Sequence, residues 1–132
     1  MSLRILMLAG LPDSLVNFRK RLLEAFNECG CEVHASTPPA APEVLGELAE
    51  IGVSFHPVEL SRTGTNPVSD ARYYARLTTV IRRIRPDAVF SYTIKPVLYG
   101  SLAARRCGVK QVVSMITGAG YLFGRPGWKG RA

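Results

Sequence analysis

Five short runs of apolar, mostly branched residues recur along the chain, at residues 3–9, 32–37, 53–58, 87–92 and 110–115. Between these runs lie segments in which apolar residues return every three or four positions, the spacing that gathers them on one face of an α-helix. Strands and helices therefore alternate, which predicts right-handed crossovers and a parallel sheet covered by helices on both faces. The first and fourth runs are almost continuously apolar, as expected for strands buried on both sides.

Glycine and proline mark the ends of the predicted helices, because proline fits the first turn and glycine fits the residue after the last. The predicted helices cover residues 17–30, 42–52, 69–86 and 96–108. The first is expected to place Phe18 on its buried face with three other apolar residues. The third is expected to begin at Ser69 or Asp70 as N-cap and to bury Tyr74.

This alternation predicts a Rossmann-like, three-layer α/β/α fold with a five-stranded parallel sheet in the order 3-2-1-4-5. Ligands of such sheets bind beyond the carboxyl ends of the strands, where the strand order reverses. The reversal lies between the first and fourth strands. The loops expected to form the site are residues 9–17, 59–69, 91–96 and 115–127.

The composition is that of one ordinary globular domain. The chain has 132 residues, of which 47% are hydrophobic and 20% charged, and no apolar run approaches the roughly 18 residues that span a membrane. The three cysteines have no zinc-ligand spacing and are interpreted as free thiols, so no metal site is expected. No cofactor is expected either. Residues 121–132 show no closing element, which predicts that 1–132 is the N-terminal domain of a longer protein.

Charge is distributed unevenly along the chain. Residues 1–59 contain four basic and eight acidic residues, whereas residues 60–132 contain thirteen basic and two acidic residues. This asymmetry indicates an anionic partner such as phosphate groups, an anionic membrane surface or nucleic acid. Nucleic acid is the least favoured, because the aromatic residues are predicted to face the core and no nucleic-acid-binding module is present.

The first strand-end loop contains a single glycine, Gly10. A dinucleotide-binding fold needs G-x-G-x-x-G at this point and an acidic residue after the second strand, and the chain has neither, so NAD or FAD binding is not expected. Gly10 either allows a phosphate or carboxylate to approach the backbone closely or simply forms a tight turn. Asp13 is the one acidic residue in a strand-end loop that could act as a base, and it is a weak catalytic candidate.

Two further loops contain polar groups that suit an oxygen-rich ligand. Arg62 and Asn66 can hydrogen-bond phosphate or sugar oxygens. The last loop combines small residues that expose backbone N–H groups with an aromatic ring suited to a sugar face; its candidates are Thr117, Gly118, Gly120 and Tyr121. The alternatives are a polar surface turn for the first loop and a flexible connection for the second.

Lys95 lies where the fourth apolar run meets the next predicted helix. Pro96 suits the first helical position, so Lys95 lies beside a helix N-terminus. The positive charge of the lysine and the positive end of the helix dipole both favour an anion. We therefore predict that Lys95 contacts a phosphate or sugar oxygen, with catalysis a weaker possibility. Gly100 lowers helix propensity, and we interpret it as a point of close packing between helix and sheet.

Several of these residues fall into blocks that resemble a known family. The blocks are SR-x-x-x-NP (Arg62, Asn66, Pro67), KP-x-x-YGSLAA (Lys95, Pro96, Gly100) and TG-x-GY (Thr117, Gly118, Gly120, Tyr121). Together they resemble the N-terminal half of bacterial family-four glycosyltransferases of the GT-B fold. The most similar group acts on undecaprenyl-diphosphate-linked glycans, and the resemblance covers most of the chain.

The resemblance implies that residues 1–132 bind the acceptor, while a second Rossmann-like domain outside this chain binds the nucleotide sugar. The whole protein would transfer an N-acetylhexosamine or related sugar to a polyprenyl-diphosphate-linked acceptor, with retention of configuration and without a metal. The isolated 132 residues would be inactive, because half of an interdomain cleft cannot preorganise a transition state. Some relatives have a histidine where this chain has Ile94, which leaves the catalytic role of that loop open.

The implied acceptor lies in a membrane, so the protein is expected in the cytoplasm, peripherally bound to the inner face of the cell membrane. The candidate membrane-facing residues are Arg72, Arg76, Arg82 and Arg83, with a merely solvated helix face as the alternative. Each basic residue near an anionic leaflet contributes on the order of 1 kcal/mol.

Two other functions remain compatible with the sequence. One is a non-catalytic subunit that recruits a separate catalytic chain of a split glycosyltransferase to the membrane. The other is a nucleotide-sugar epimerase of GT-B fold, which would need acidic and histidine side chains in the cleft that these loops do not offer. His34 and His56 are both interpreted as structural residues.

Overall fold

The computed structural model describes residues 3–60 and 66–115. Its strands are β1 (Arg4–Leu8), β2 (Glu32–Ser36), β3 (Val53–Phe55), β4 (Ala88–Tyr92) and β5 (Gln111–Met115). Its α-helices are α1 (Pro12–Asn17), α2 (Lys20–Glu28), α3 (Pro42–Glu50), α4 (Pro67–Ile84) and α5 (Ser101–Arg106). A π-helical turn at Pro96–Gly100 leads directly into α5.

The five strands form one parallel sheet in the order β3-β2-β1-β4-β5. In the centre of the sheet Leu6 of β1 lies beside His34 of β2 on one side and Val89 of β4 on the other. The predicted Rossmann-like fold and strand order are thus confirmed. The order reverses between β1 and β4, whose carboxyl ends lie side by side.

Two hydrophobic layers cover the sheet, because successive residues of a strand point to opposite faces. Leu6 and Leu8 of β1 pack with α4 and α5, where Leu77 is fully buried. Met7, the residue between them, packs on the opposite face with Leu23 of α2 and with α3. Each fully buried leucine contributes roughly 1.5–3 kcal/mol to stability.

The first predicted helix, expected from residue 17, begins only at Lys20 as α2, and the short helix α1 precedes it in a segment predicted as a loop. α1 ends at Asn17 and α2 begins at Lys20, and Phe18, between them, is 74% exposed. The prediction that Phe18 belongs to the buried face is therefore wrong. Between the two helices, the Arg19 guanidinium lies 4.6 Å from the centre of the Tyr92 ring. No local pattern in the sequence predicts this cation–π contact.

The long helix α4 begins earlier than predicted. Asn66 is its N-cap, since Oδ1 accepts hydrogen bonds from the backbone N–H groups of Val68 (3.0 Å) and Ser69 (3.3 Å). The prediction of Ser69 or Asp70 as N-cap is therefore wrong. Within α4, Tyr73 is buried, whereas Tyr74, which was predicted to be buried, is only partly so.

Gly100 lies where the π-helical turn crosses β1. A Cβ atom on this residue would lie 2.5 Å from Cδ1 of the buried Leu8, so no side chain fits unless Leu8 moves. The predicted close approach of helix and sheet is confirmed. The predicted continuous α-helix from Pro96 is not confirmed, because a π-helical turn precedes α5. Val97 N donates to Thr93 O, so Pro96 lies within the first helical turn.

Candidate functional site

An open crevice of about 290 Å³ lies at the carboxyl ends of β1 and β4, where the strand order reverses. One wall is formed by Gly10 and Leu11, which follow β1, and the opposite wall by the segment after β4. The complete lining is Gly10, Leu11, Leu60, Thr93, Ile94, Lys95 and Pro96. Most of this lining is apolar, with one cation.

The turn after β4 is conformationally strained. Thr93 has φ of 70°, in the left-handed region that β-branched residues rarely adopt. Such a conformation costs roughly 1–3 kcal/mol and persists only where the surroundings impose it. It reverses the chain between β4 and the helical segment, and leaves the Ile94 side chain 84% exposed at the rim of the crevice.

Lys95 is held in the crevice wall by an ion pair. Its Nζ lies 2.8 Å from Oδ1 of Asp70 in α4, and Tyr99 OH donates to the other carboxylate oxygen at 3.1 Å. The hydrogen bond from Lys95, followed by that from Tyr99, holds the pKa of Asp70 below its usual value, and the bond to Asp70 raises the pKa of Tyr99. The lysine predicted to face a ligand therefore borders the crevice while paired with a carboxylate.

Sequence reasoning misses the partners of Lys95. Asp70 is 25 residues away along the chain, and local pattern marks it only as a possible N-cap. Both side chains are largely buried, with 13% of Lys95 and 14% of Asp70 exposed. The packing of the π-helical turn against α4 brings the three groups together, and no spacing in the sequence signals it.

A second polar network ties the two walls of the crevice together. Ser14 Oγ donates to the backbone oxygen of Leu11 (2.6 Å), so the Tyr92 hydroxyl donates in turn to Ser14 Oγ (2.8 Å). Burial raises the pKa of Tyr92, although the Ser14 hydrogen bond and Arg19 oppose this shift. The network joins the first turn of α1 to the end of β4, directly beside the residues that line the crevice.

The remaining candidates lie in different places. Asp13 is exposed in the first turn of α1 and does not line the crevice. Asn66 is the N-cap of α4, so its Oδ1 accepts hydrogen bonds from the helix backbone. The other predicted ligand contacts lie outside the described residues: Arg62, Thr117, Gly118, Gly120 and Tyr121. Their roles in binding stay predictions.

The four arginines of α4 are exposed but do not share one face. Successive helical residues are 100° apart, so Arg83 shares a flank with Arg72 and Arg76 while Arg82 points elsewhere. Arg72 and Arg76 border an open depression of about 360 Å³ beside Leu60. Arg82 instead borders a cleft at the opposite end of α4.

The two histidines lie together at the side of the sheet where β2 pairs with β3, away from the crevice. His34 Nδ1 and His56 Nε2 are 2.9 Å apart, and His34 Nε2 is 2.6 Å from a carboxylate oxygen of Glu32. The His34 hydrogen bond lowers the pKa of Glu32, while burial, then His34 and Arg83, lower the pKa of His56. The described crevice thus lacks the acidic and histidine pair that an epimerase site needs.

Neither a metal cluster nor a membrane-spanning helix is found in the described part of the chain. No group of three His, Cys, Asp or Glu side chains in residues 3–60 and 66–115 is arranged to hold a metal ion. Across the same ranges, none of the helices combines the length and the apolar character that crossing a bilayer requires.

The fold is a Rossmann-like α/β domain with a crevice where the strand order reverses. A family model described as "Glycosyl transferase 4-like domain" matches residues 16–132, so the chain belongs to this family. This confirms the resemblance to the N-terminal domain of family-four glycosyltransferases. A comparison with curated proteins returned no match.

Solved structures share the fold. MurG from Acinetobacter baumannii aligns over 86% of this chain and 34% of its own, with a TM-score of 0.64 and 20% identity. A glycosyltransferase from Rickettsia africae ESF-5 has a TM-score of 0.66 and 14% identity over 86% of this chain and 29% of its own. UDP-GlcNAc 2-epimerase from Neisseria meningitidis, bound to UDP-GlcNAc, has a TM-score of 0.59 and 16% identity over 86% of this chain and 32% of its own. The chain spans about a third of the length of these proteins.

Proposed function

We propose that this chain is the acceptor-binding domain of a glycosyltransferase. The whole protein would transfer an N-acetylhexosamine or related sugar from a nucleotide sugar to a polyprenyl-diphosphate-linked acceptor, in the synthesis of a cell-surface polysaccharide or glycan. Membership of the glycosyltransferase family supports the reaction class. The observation that supports the acceptor is the crevice, which places a lysine beside the exposed apolar residues Leu11 and Ile94.

The chemistry of such an acceptor matches this lining. A polyprenyl diphosphate carries anionic phosphates next to an apolar chain, and a lysine ammonium binds phosphate as a compact point charge. The Asp70 carboxylate keeps Nζ of Lys95 at the crevice wall, so little side-chain entropy remains to be lost when a phosphate binds. Apolar side chains at the rim would contact the first isoprene units.

The donor would be a nucleotide sugar held mainly by a second domain, a proposal supported by the nucleotide sugar bound to the Neisseria neighbour. The acceptor hydroxyl oxygen would form a bond to the anomeric carbon as the bond from that carbon to the nucleotide diphosphate breaks. The hydroxyl proton would pass to the departing diphosphate, and the configuration would be retained. No metal or other cofactor is part of the proposal. The 132 residues alone would bind acceptor without transferring sugar.

Acceptor binding can be tested with farnesyl diphosphate, a short, water-soluble polyprenyl diphosphate. Lys95→Met keeps the length of the side chain and removes its charge, and we expect about tenfold weaker binding by titration calorimetry. Lys110→Met is the matched control, because Lys110 is exposed at the amino end of β5, away from the crevice. Equal affinities for the wild type and Lys95→Met would contradict the placement of the diphosphate.

The reaction itself needs the whole protein. A longer protein that joins this domain to a nucleotide-sugar domain should transfer label from a UDP-sugar to a polyprenyl-diphosphate glycan. Label recovered only as an isomeric UDP-sugar would indicate the epimerase. Transfer that requires a separate catalytic chain would indicate the recruiting subunit.

A further inference from the structure

The two histidines of the chain are in direct contact where β2 pairs with β3. His34 Nδ1 lies 2.9 Å from His56 Nε2, and the centroids of the two rings are 5.1 Å apart. His34, within β2, is only 9% exposed, whereas His56, which follows β3, is half-buried. The ring of His56 is therefore the one that can turn towards solvent.

The neighbouring carboxylate determines where the protons of the pair lie. Glu32 accepts a hydrogen bond from His34 Nε2 at 2.6 Å, because an ionised carboxylate has no proton to donate. The same hydrogen bond lowers the pKa of Glu32 and so keeps it ionised. His34 Nε2 therefore carries a proton, and the contact with His56 needs one more, shared between the two facing nitrogens.

The contact tolerates one positive charge but not two. When both rings are neutral, His56 Nε2 donates to His34 Nδ1, and one added proton on His56 Nδ1 leaves this hydrogen bond in place. A second added proton puts N–H groups on both facing nitrogens, and the contact becomes a repulsion between two cations. The pair therefore stays together near neutral pH and separates in acid.

The surrounding charges separate the two protonation steps. Glu32 favours the first charge, and Arg4 of β1 lies 3.4 Å from the carboxylate oxygen that accepts from His34. Burial, followed by the charges of His34 and of Arg83 in α4, lowers the pKa of His56. The second protonation therefore falls below the ordinary histidine value of about 6.5.

The pair lies at the start of the segment that leads from β3 to the crevice. His56 N donates to Ala35 O (2.9 Å) and Val58 N donates to Thr37 O (2.8 Å), so residues 56–58 continue the pairing with β2. Two residues further on, Leu60 lines the crevice. β3 has only three residues and lies at the edge of the sheet, where local opening costs least free energy.

We propose that the pair of His34 and His56 is an acid-sensitive clasp. A second proton opens it, releases residues 56–60 from β2 and withdraws Leu60 from the crevice, so that acid weakens ligand binding. The statement about the ligand rests on the proposed function, whereas the opening of the clasp does not. Glu59, the other charged residue of this segment, borders the depression beside Arg72.

The opening is tested by amide hydrogen exchange, followed by NMR between about pH 7.5 and about pH 5. In His56→Gln the amide can still donate to His34 Nδ1 but takes up no proton, so the clasp stays closed. We expect the protection factor of the Val58 N–H in the wild type to fall about tenfold one pH unit below the second protonation, and to stay constant in His56→Gln. His34→Gln also leaves a single histidine and should show no fall, so it serves if His56→Gln does not fold.

The amides of β1, the central strand, separate opening of the clasp from unfolding of the domain. A fall at Val58 while β1 stays protected supports the clasp. Equal protection of Val58 in the wild type and in His56→Gln overturns it. A fall shared by Val58 and β1 also overturns it, because it shows global unfolding.

The link to the crevice is tested with farnesyl diphosphate by titration calorimetry. The diphosphate itself titrates in this pH range, so the wild type is compared with His56→Gln at each pH. We expect equal affinities near pH 7.5, and about tenfold weaker binding to the wild type one pH unit below the second protonation, since only the closed fraction binds. Equal affinities at every pH would overturn the link. If neither protein binds at any pH the proposed function fails, and the exchange of Val58 still reports on the clasp.

Discussion

The contact between Gly100 and Leu8 permits a quantitative test of the packing that positions the crevice. In Gly100→Ala the new methyl group would lie 2.5 Å from Leu8 Cδ1, and 3.8 Å from Ser91 Cβ. Leu8 is fully buried at the end of β1, so its side chain has little room to turn away. Gly100 therefore sets how closely the helical segment that carries Lys95 approaches the sheet.

Two opposing effects determine the magnitude. Overpacking a tight core by one methyl group costs about 1–3 kcal/mol, while replacing glycine by alanine in a helix contributes about 1 kcal/mol. In the wild-type background we expect Gly100→Ala to lower the free energy of unfolding by up to about 2 kcal/mol. Leu8→Ala alone should cost about 2–5 kcal/mol through the cavity it leaves.

The double mutant reveals the contact, because Leu8→Ala removes the atom with which the new methyl group collides. In that background Gly100→Ala should stabilise the protein by about 1 kcal/mol, so the substitution changes sign. Urea unfolding followed by far-UV circular dichroism measures all four free energies. Gly46→Ala is the control: Gly46 lies within α3, where a Cβ atom would meet open space, so it should stabilise by about 1 kcal/mol. If Gly100→Ala destabilises both backgrounds equally, the steric argument is refuted.

Three further predictions concern single side chains. Asn66→Ala should lower the free energy of unfolding by about 1 kcal/mol in urea titrations, and Asn66→Asp should retain most of it, because aspartate also caps helices. The folded-state pKa of Asp70 is lowered, so its ion pair stabilises the fold above the unfolded pKa of about 3.9 and is lost as pH falls through the folded pKa. The stability difference between wild type and Asp70→Asn should therefore shrink on acidification, and a difference constant between pH 6 and pH 2 would contradict the ion pair. The folded-state pKa of His56 is also lowered, so the unfolded chain binds more protons than the folded chain. The free energy of unfolding should therefore fall as pH drops below about 6.5, and it should fall less in His56→Gln. Identical pH profiles for the two proteins would contradict this assignment.

Much of the fold was accessible from the sequence because its signals are local. Apolar runs and helical spacing predicted all five strands and their order, since alternating strands and helices leave few topologies open. Helix ends were predicted well where glycine or proline marks them, as at Pro42 and Gly52. They were predicted poorly at Phe18 and Asn66. Asn66 caps α4 through hydrogen bonds from backbone N–H groups, and the residue after Phe18, Arg19, contacts the ring of Tyr92, which is distant in sequence.

Part of the candidate site was accessible as well. The reversal point between β1 and β4 follows from strand order, and Gly10 and Lys95 do lie in the crevice there. The ion pair of Lys95 with Asp70 was not accessible, because the two residues meet only when α4 and the π-helical turn pack together. The hydrogen bond between Ser14 and Tyr92 was missed for the same reason, since 78 residues separate its partners.

The sequence by itself therefore determined the strand order and the edge of the sheet at which the crevice lies, because periodicity and turn residues act over a few positions. Its motif blocks predicted the family through their resemblance to known glycosyltransferases. Only the tertiary structure decided which charges are paired and which apolar side chains remain outside the core. The apolar spacing of Ile94, Leu98 and Leu102 matches that of a buried helix face. Their exposure depends on which face of the helical segment packs against the sheet, and Gly100, on the side facing Leu8, shows where that contact lies.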